Sequence, residues 1–252
     1  MLLAVDTSTS QISIALYDGA QVLAESLWSG RAGHTIPRSG IGATSELAPA
    51  VSEMLTRTGV KIEQLKALGV AIGPGSFTSL RVGISFIKGL ALACSLPAIG
   101  INTLDVVAAS QPPTDLLLAC LLPSGRGRMA LGWYRATKGS AQDHPASKLE
   151  DGAFVWLAQG SPMIITIEAL SHAIENDAVV CGDLSASERQ ILKKNPHIQL
   201  VSPAHSVRRP ALLAELAYTR WQAGDVDDIG TLAPIYLHIA ESIPADSRVQ
   251  AA

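Results

Sequence analysis

The chain has 252 residues, 48% of them hydrophobic, 16% charged and only 4% aromatic, with a net charge of −3. Such apolar content excludes a disordered chain, and the length is enough for a buried core without disulfide or metal staples. A protein that grips nucleic acid alone carries a basic excess; 19 Lys and Arg against 22 Asp and Glu is not one.

Cys94, Cys120 and Cys181 are far apart in sequence and form no CxxC, so a reducing cytoplasm is expected. Asp6 arrives too early for the apolar region of a signal peptide. The most apolar region, 84–101, holds Lys88 and Pro97, so no membrane span is expected.

In chain order, residues 2–28 predict three strands. LLAV is a short apolar run, QISIALY alternates with Ile12, Ile14 and Leu16 on one face, and Asp18-Gly19 signals a hairpin into QVLAESLW. This is a meander opening. The glycine-rich stretch 29–43 reads as a loop. A helix is predicted over 44–58, ending at Gly59, with an apolar stripe of Leu47, Val51, Met54 and Leu55. LKALGVAIG reads as a buried strand broken at Gly73-Pro74-Gly75, followed by a helix over 77–94 and the short strand PAIGI. Asn102 is a good N-cap for 102–110. DLLLACLL and RMALGWYRA form a strand pair around PSGRG, 137–152 reads as loop, and AVVCG is a strand. Ser185 and Glu188 make a capping box for a short helix ending near Asn195. Pro210 opens the last long helix, through about 223. The tail after Ile239 has no periodicity and is expected to be disordered. A meander followed by alternating helices and strands, in two halves joined near 102–110, suits a two-lobed mixed α/β protein.

The sharpest local signal is GPGSFTSLRVG, 73–83, where a strand ends and a helix begins. Free N–H groups at a helix start attract anions, which makes Gly73, Gly75 and Ser76 a candidate phosphate cradle. The run lacks the Gly-Lys-Ser/Thr ending of a Walker loop and the third glycine of a dinucleotide fingerprint. The alternative is a tight strand–helix turn capped by Ser76 or Thr78. Asp6, Thr7 and Ser8 follow the first strand. An Asp there, with hydroxyls beyond it, can hold a metal–phosphate group, or can simply close an Asx or Ser/Thr turn. The 77–94 helix is apolar on several faces, with Leu80, Ile84, Ile87 and Ala91 on one. Its small residues, Gly83, Ser85 and Gly89 among them, allow close approach, so it is either a central core helix or one shared with a partner. The histidines form no HExxH or HxxxH pair, and no Gly-x-Ser-x-Gly elbow is present. Arg126, Arg128 and Asp183 read as turn residues; no catalytic set is assigned.

MLLAVDTSTSQISIALYDG and VAIGPGSFTSLRVGISFIKGLALA closely resemble the bacterial TsaB (YeaZ) family; SELAP, CGD and PIYL (234–237) are weaker matches. The resemblance covers 1–110 well and the rest loosely. It implies an actin-like/sugar-kinase ATPase fold (α/β class) of two lobes, each a mixed sheet opened by a meander and flanked by helices. The expected first lobe is 1–105, completed by the 209–223 helix; the second is 106–208, with a tail at 240–252. The resemblance further implies a non-catalytic subunit that pairs with a TsaD-type transferase and a TsaE-type ATPase to make threonylcarbamoyladenosine beside the anticodon. The chain would be a homodimer when alone, would meet tRNA only through the complex, and would be cytoplasmic. No metal or cofactor is expected in this chain, with ATP or ADP and magnesium only at the interface with the partner. Pairing through the two first-lobe helices carries over to Leu47, Val51, Met54, Leu55, Leu80, Gly83, Ile84, Ile87 and Ala91. Asp6, Thr7, Ser8, Gly73, Gly75 and Ser76 would be a nucleotide-site vestige.

Three departures stand out. Gly42 and Ala43 fall where the family writes Asn-His. In the second-lobe hairpin only Arg126 matches, with Ser124 and its neighbours replacing acidic residues. His238 stands where Tyr-Leu-Arg would place the arginine. The competing readings are an actin-like-fold ATPase or phosphotransferase built on Asp6, and a divergent paralogue without the usual partner. A metallopeptidase-like role is opposed by the missing histidine pair.

Overall fold

The computed structural model describes residues 1–29, 46–138 and 154–237. The chain opens with β1 (Leu2–Asp6), β2 (Gln11–Tyr17) and β3 (Val22–Ser29), an antiparallel meander. Asp18 accepts hydrogen bonds from the Ala20 and Gln21 N–H groups, and Gly19 takes φ 103°, so the β2–β3 turn forms where the sequence signals it. Helix α1 (Leu47–Thr58) ends on Gly59 at φ 69°, the left-handed cap that glycine adopts without strain. Then come β4 (Ala67–Gly73), α2 (Phe77–Cys94) and β5 (Ala98–Asn102). These strands make one five-stranded sheet, ordered β3-β2-β1-β4-β5, with β4 parallel to β1 and β5.

Helix α3 (Thr103–Ala109), capped by the Asn102 side chain on the Leu104 N–H, leads to a second sheet. This contains β6 (Leu117–Pro123), β7 (Met129–Lys138), β8 (Phe154–Ala158), β9 (Met163–Ile165), β10 (Ala178–Gly182) and β11 (Ile198–Leu200). Its order is β11-β10-β6-β7-β8, with β9 also pairing to β7. Helices α4 (Ile167–Ala173) and α5 (Ala186–Leu192) flank it, and α6 (Pro210–Gln222) returns to the first sheet. Each sheet is thus a meander followed by two parallel strands on its other side. β1-β2-β3 corresponds to β6-β7-β8, and β4-β5 to β10-β11. That duplicated plan is the actin-like fold.

Alternation along β1 decides the layers. Leu3 and Val5 face the cluster holding Leu47, Val51, Met54, Ile84 and Ile87 of α1 and α2. Leu2 and Ala4 face Leu213, Ala214 and Ala217 of α6. Small residues on that second face let α6 lie close: a Cβ on Gly69 would stand 2.8 Å from the Ala217 Cβ.

The strands and helices read from periodicity are present, with three adjustments. β7 runs through Lys138, into the stretch read as loop. The 185–195 helix stops at Leu192. β8, β9, α4 and β11, which had no separate reading, complete the second lobe. The bulk of the 29–43 and 137–152 loops, the helix start at 44, Gly42, Ala43, His238 and the 240–252 tail lie outside the described residues.

Candidate functional site

The strand-end turn after β1 is fully buried: Asp6, Thr7 and Ser8 are at most 1% exposed and Thr9 5%. Ser8 closes an Asx-type turn on Asp6, its N–H and its hydroxyl both donating to Asp6 Oδ1 at 2.8 and 2.5 Å. Thr7 Oγ1 donates to the Ser79 carbonyl at 2.7 Å, and the Ser76 N–H donates to the Ser8 carbonyl at 2.6 Å. The Asp6–Ser8 and Gly73–Ser76 segments, distant in sequence, are therefore stitched together.

The glycines of 73–83 find their reason here. A Cβ on Gly75 would lie 2.1 Å from the Ser8 carbonyl oxygen, and one on Gly83 would lie 2.2 Å from Thr7 Oγ1. Gly73, at φ 106°, donates its N–H to Thr103 Oγ1 at 3.1 Å. Ser76 sits at the N-cap of α2, but its hydroxyl donates to Ser79 Oγ rather than capping the helix. Close docking of the β1–β2 turn accounts for the motif.

The residue that sequence reasoning missed is Arg208, in the segment between β11 and α6. Its side chain is 3% exposed. Nε donates to Asp6 Oδ2 at 3.0 Å, Nη2 donates to Thr9 Oγ1 at 2.7 Å, and Nη1 stands 3.8 Å from Asp183 Oδ2 at the end of β10. Both Asp6 oxygens are thereby occupied by the chain's own donors. No local motif announces this arginine, because its partner is 202 residues away; the only signal was an Asp at a buried strand end, which needs a cation.

Helices α1 and α2 place the nine positions expected at a partner interface mostly inside the lobe. Leu80, Ile87 and Ala91 are 0% exposed, Leu47 1%, Ile84 3%, Val51 5% and Met54 6%. Gly83 is buried against Thr7, and Leu55 is half-buried. As free surface these positions are corrected: the apolar stripe is the side of each helix that the sheet needs for its core. α2 instead turns outward Phe77 (56% exposed), Arg81, Ser85, Gly89 and Leu92 (70% exposed). Phe77 stacks on Tyr236 at 5.0 Å, and the Arg81 guanidinium sits 5.1 Å over the Phe77 ring. A shallow groove beside them is lined by Thr78, Arg81, Val82, Ser85 and Phe86. By length and composition α2 could cross a membrane, but here its Leu80–Ala91 face packs on the first sheet.

In the second lobe, Gly125, Arg126 and Gly127 are left-handed in succession, which shapes the β6–β7 hairpin; Arg126 is exposed and Ser124 half-buried. Cys120 and Cys181 meet across β6 and β10, with sulfurs 3.7 Å apart, and burial pushes the Cys120 thiol up. Burial, reinforced by the Asp105 carboxylate that accepts from Tyr134 at 2.7 Å, pushes the Tyr134 hydroxyl well above its ordinary range. Among the described residues no three His, Cys, Asp or Glu side chains converge as metal ligands.

Fold and strand-end geometry together define a two-lobed actin-like protein whose lobes meet at a sealed Asp6. Residues 37–224, about three-quarters of the chain, match the family model described as TsaD, tRNA N6-adenosine threonylcarbamoyltransferase. The chain is 37% identical over 107 residues to the tRNA threonylcarbamoyladenosine biosynthesis protein TsaB of Escherichia coli (strain K12), covering 42% of each chain. It is 29% identical over 138 residues to TsaB of Bacillus subtilis (strain 168), covering 55% of this chain and 56% of that one. The match thus spans about half the length of these curated relatives. In three dimensions it resembles YeaZ from Pseudomonas aeruginosa with a TM-score of 0.69 at 22% identity, over 94% of this chain and 99% of the other. The chain belongs to the TsaD family and, within it, to the TsaB (YeaZ) group.

Proposed function

We propose that the protein is a non-catalytic subunit of a complex that makes threonylcarbamoyladenosine in tRNA, pairing through the first lobe with a TsaD-type transferase and joined by a TsaE-type ATPase. Family membership supports the pathway. The observation that carries the subunit role is the outer face of α2, where Phe77 and Leu92 stand 56% and 70% exposed on a helix whose opposite side is core. Exposed aromatic and aliphatic side chains beside an arginine are the composition of a protein interface. The same face would serve a homodimer of the lone chain, so the two pairings compete. With a net charge of −3, tRNA contacts fall mainly to the partner, in a cytoplasmic assembly. The expected interface positions on α1 and α2 act from behind, by holding those helices on the sheet.

The ATPase or phosphotransferase reading asks Asp6 to face a metal–phosphate group, whereas Asp6 is engaged by Ser8 and Arg208. Reconstitution tests the proposal. Modification of an ANN-reading tRNA by the TsaD-type and TsaE-type proteins is expected to require this chain and to fail with the chain alone. Full modification without it would overturn the proposal.

A further inference from the structure

We propose that Arg208 is a built-in cation that links the two lobes at the strand-end position where a metal–phosphate group could sit, so that this position is filled without a nucleotide. The duplicated sheets carry equivalent features at corresponding strand ends. β4 ends on Gly73 at φ 106° and β10 on Gly182 at φ 129°, and in each lobe a helix starts four residues later, at Phe77 and at Ala186. Arg208 lies in the segment that carries the chain from the second sheet back to α6 and reaches the ends of β1 and β10. Its three guanidinium nitrogens face three groups: Nε faces Asp6 and Nη2 faces Thr9, both of the first lobe, while Nη1 faces Asp183 of the second. A planar fork hydrogen-bonded at two corners, with the third 3.8 Å from a carboxylate, fixes orientation as well as distance, which a lysine ammonium does not. Asp6 Oδ1 accepts twice from Ser8 and Oδ2 accepts from Arg208, so a metal or phosphate approaching Oδ2 would have to displace a guanidinium only 3% exposed. A carboxylate this deeply buried requires a permanent counter-charge, and the chain supplies it covalently.

The test uses the full chain and three variants, Arg208→Gln, Asp6→Asn/Arg208→Gln and Arg208→Lys. It reads thermal midpoint and amide hydrogen exchange at residues 6–11 and 182–186, with and without millimolar magnesium-ATP. Magnesium-ATP is expected to leave the unmodified protein unchanged in both readouts. Arg208→Gln, which strands Asp6, is expected to lower the midpoint by roughly 10 °C and to speed exchange at both strand ends. The double variant, with no orphan charge, is expected to recover at least half of that loss. Should Arg208→Gln fail to fold, Arg208→Lys, which keeps the charge without the fork, is expected to speed exchange at 182–186 while 6–11 stays protected. Protection of 6–11 by magnesium-ATP in the unmodified protein would overturn the proposal. So would faster exchange confined to 6–11 in Arg208→Gln, or unchanged exchange at both ends in Arg208→Lys.

Discussion

Thr7 and Gly83 are in direct contact: a Cβ on Gly83 would stand 2.2 Å from Thr7 Oγ1, the same oxygen that donates to the Ser79 carbonyl. Thr7 is 0% exposed and cannot turn away without losing that bond. Gly83→Ala would gain about 1 kcal/mol of helix propensity, but forcing a methyl into a filled site costs about 1–3 kcal/mol. The clash wins, and net destabilisation is expected. Thr7→Ala in the Gly83→Ala background should recover part of the loss, read as the urea midpoint at unchanged slope.

Gly89, six residues further along the same helix, has the opposite surroundings. It is exposed, and a Cβ there meets nothing within 4 Å. Gly89→Ala is expected to stabilise the chain by about 0.5–1 kcal/mol, because only the backbone entropy term remains. Thermal unfolding of Gly83→Ala and Gly89→Ala side by side checks whether contact or propensity governs α2.

Charge placed on the two sides of α2 separates folding from pairing. Leu80→Glu buries a carboxylate at a position with 0% exposure and is expected to unfold the chain or cost more than about 3 kcal/mol. Leu92→Glu, at 70% exposure, is expected to change stability by no more than about 0.5 kcal/mol while weakening association. Circular dichroism melts and light scattering on both variants give the comparison.

The segment after α6 is pinned by Arg220. Its Nε and Nη2 donate to the two oxygens of Asp225, and Nη1 donates to the Gly100 carbonyl. The hydrogen bonds from Arg220, helped by its charge, hold the Asp225 carboxyl below its usual range against the opposing effect of burial. A carboxyl lowered in the folded state contributes stability above its unfolded value and loses it as pH falls through the folded one. Because Asp225 is 47% exposed, the contribution is less than about 1 kcal/mol. Asp225→Asn should therefore be slightly less stable at neutral pH, and the gap should shrink as pH drops below the carboxylate range, measured by urea titration at several pH values.

Much of the fold was legible because its signals are local. The Ser185–Glu188 capping box, Asn102 at the α3 N-cap, Pro210 at the start of α6 and the bounds of α2 all rest on contacts within a few residues. The short strands β8, β9 and β11 were not, since three to five residues carry no period of their own. At the candidate site, Ser8 meets Gly75 and Ser76, two segments that the family resemblance groups but that residue type alone leaves separate. The clasp by Arg208 was invisible, because nothing near position 208 differs from a surface arginine until the chain has closed on itself. Periodicity also marked which positions on α1 and α2 were apolar but not what they faced. A stripe that serves the core and a stripe that serves a partner have the same spacing.

Light scattering on the chain mixed with the TsaD-type protein of the same organism, with Leu92→Glu and Phe77→Glu as probes, tests the subunit role most directly. A 1:1 complex formed by the unmodified chain and lost in both folded variants is the predicted result. A chain that stays apart from the transferase, or a complex that neither substitution weakens, would contradict it.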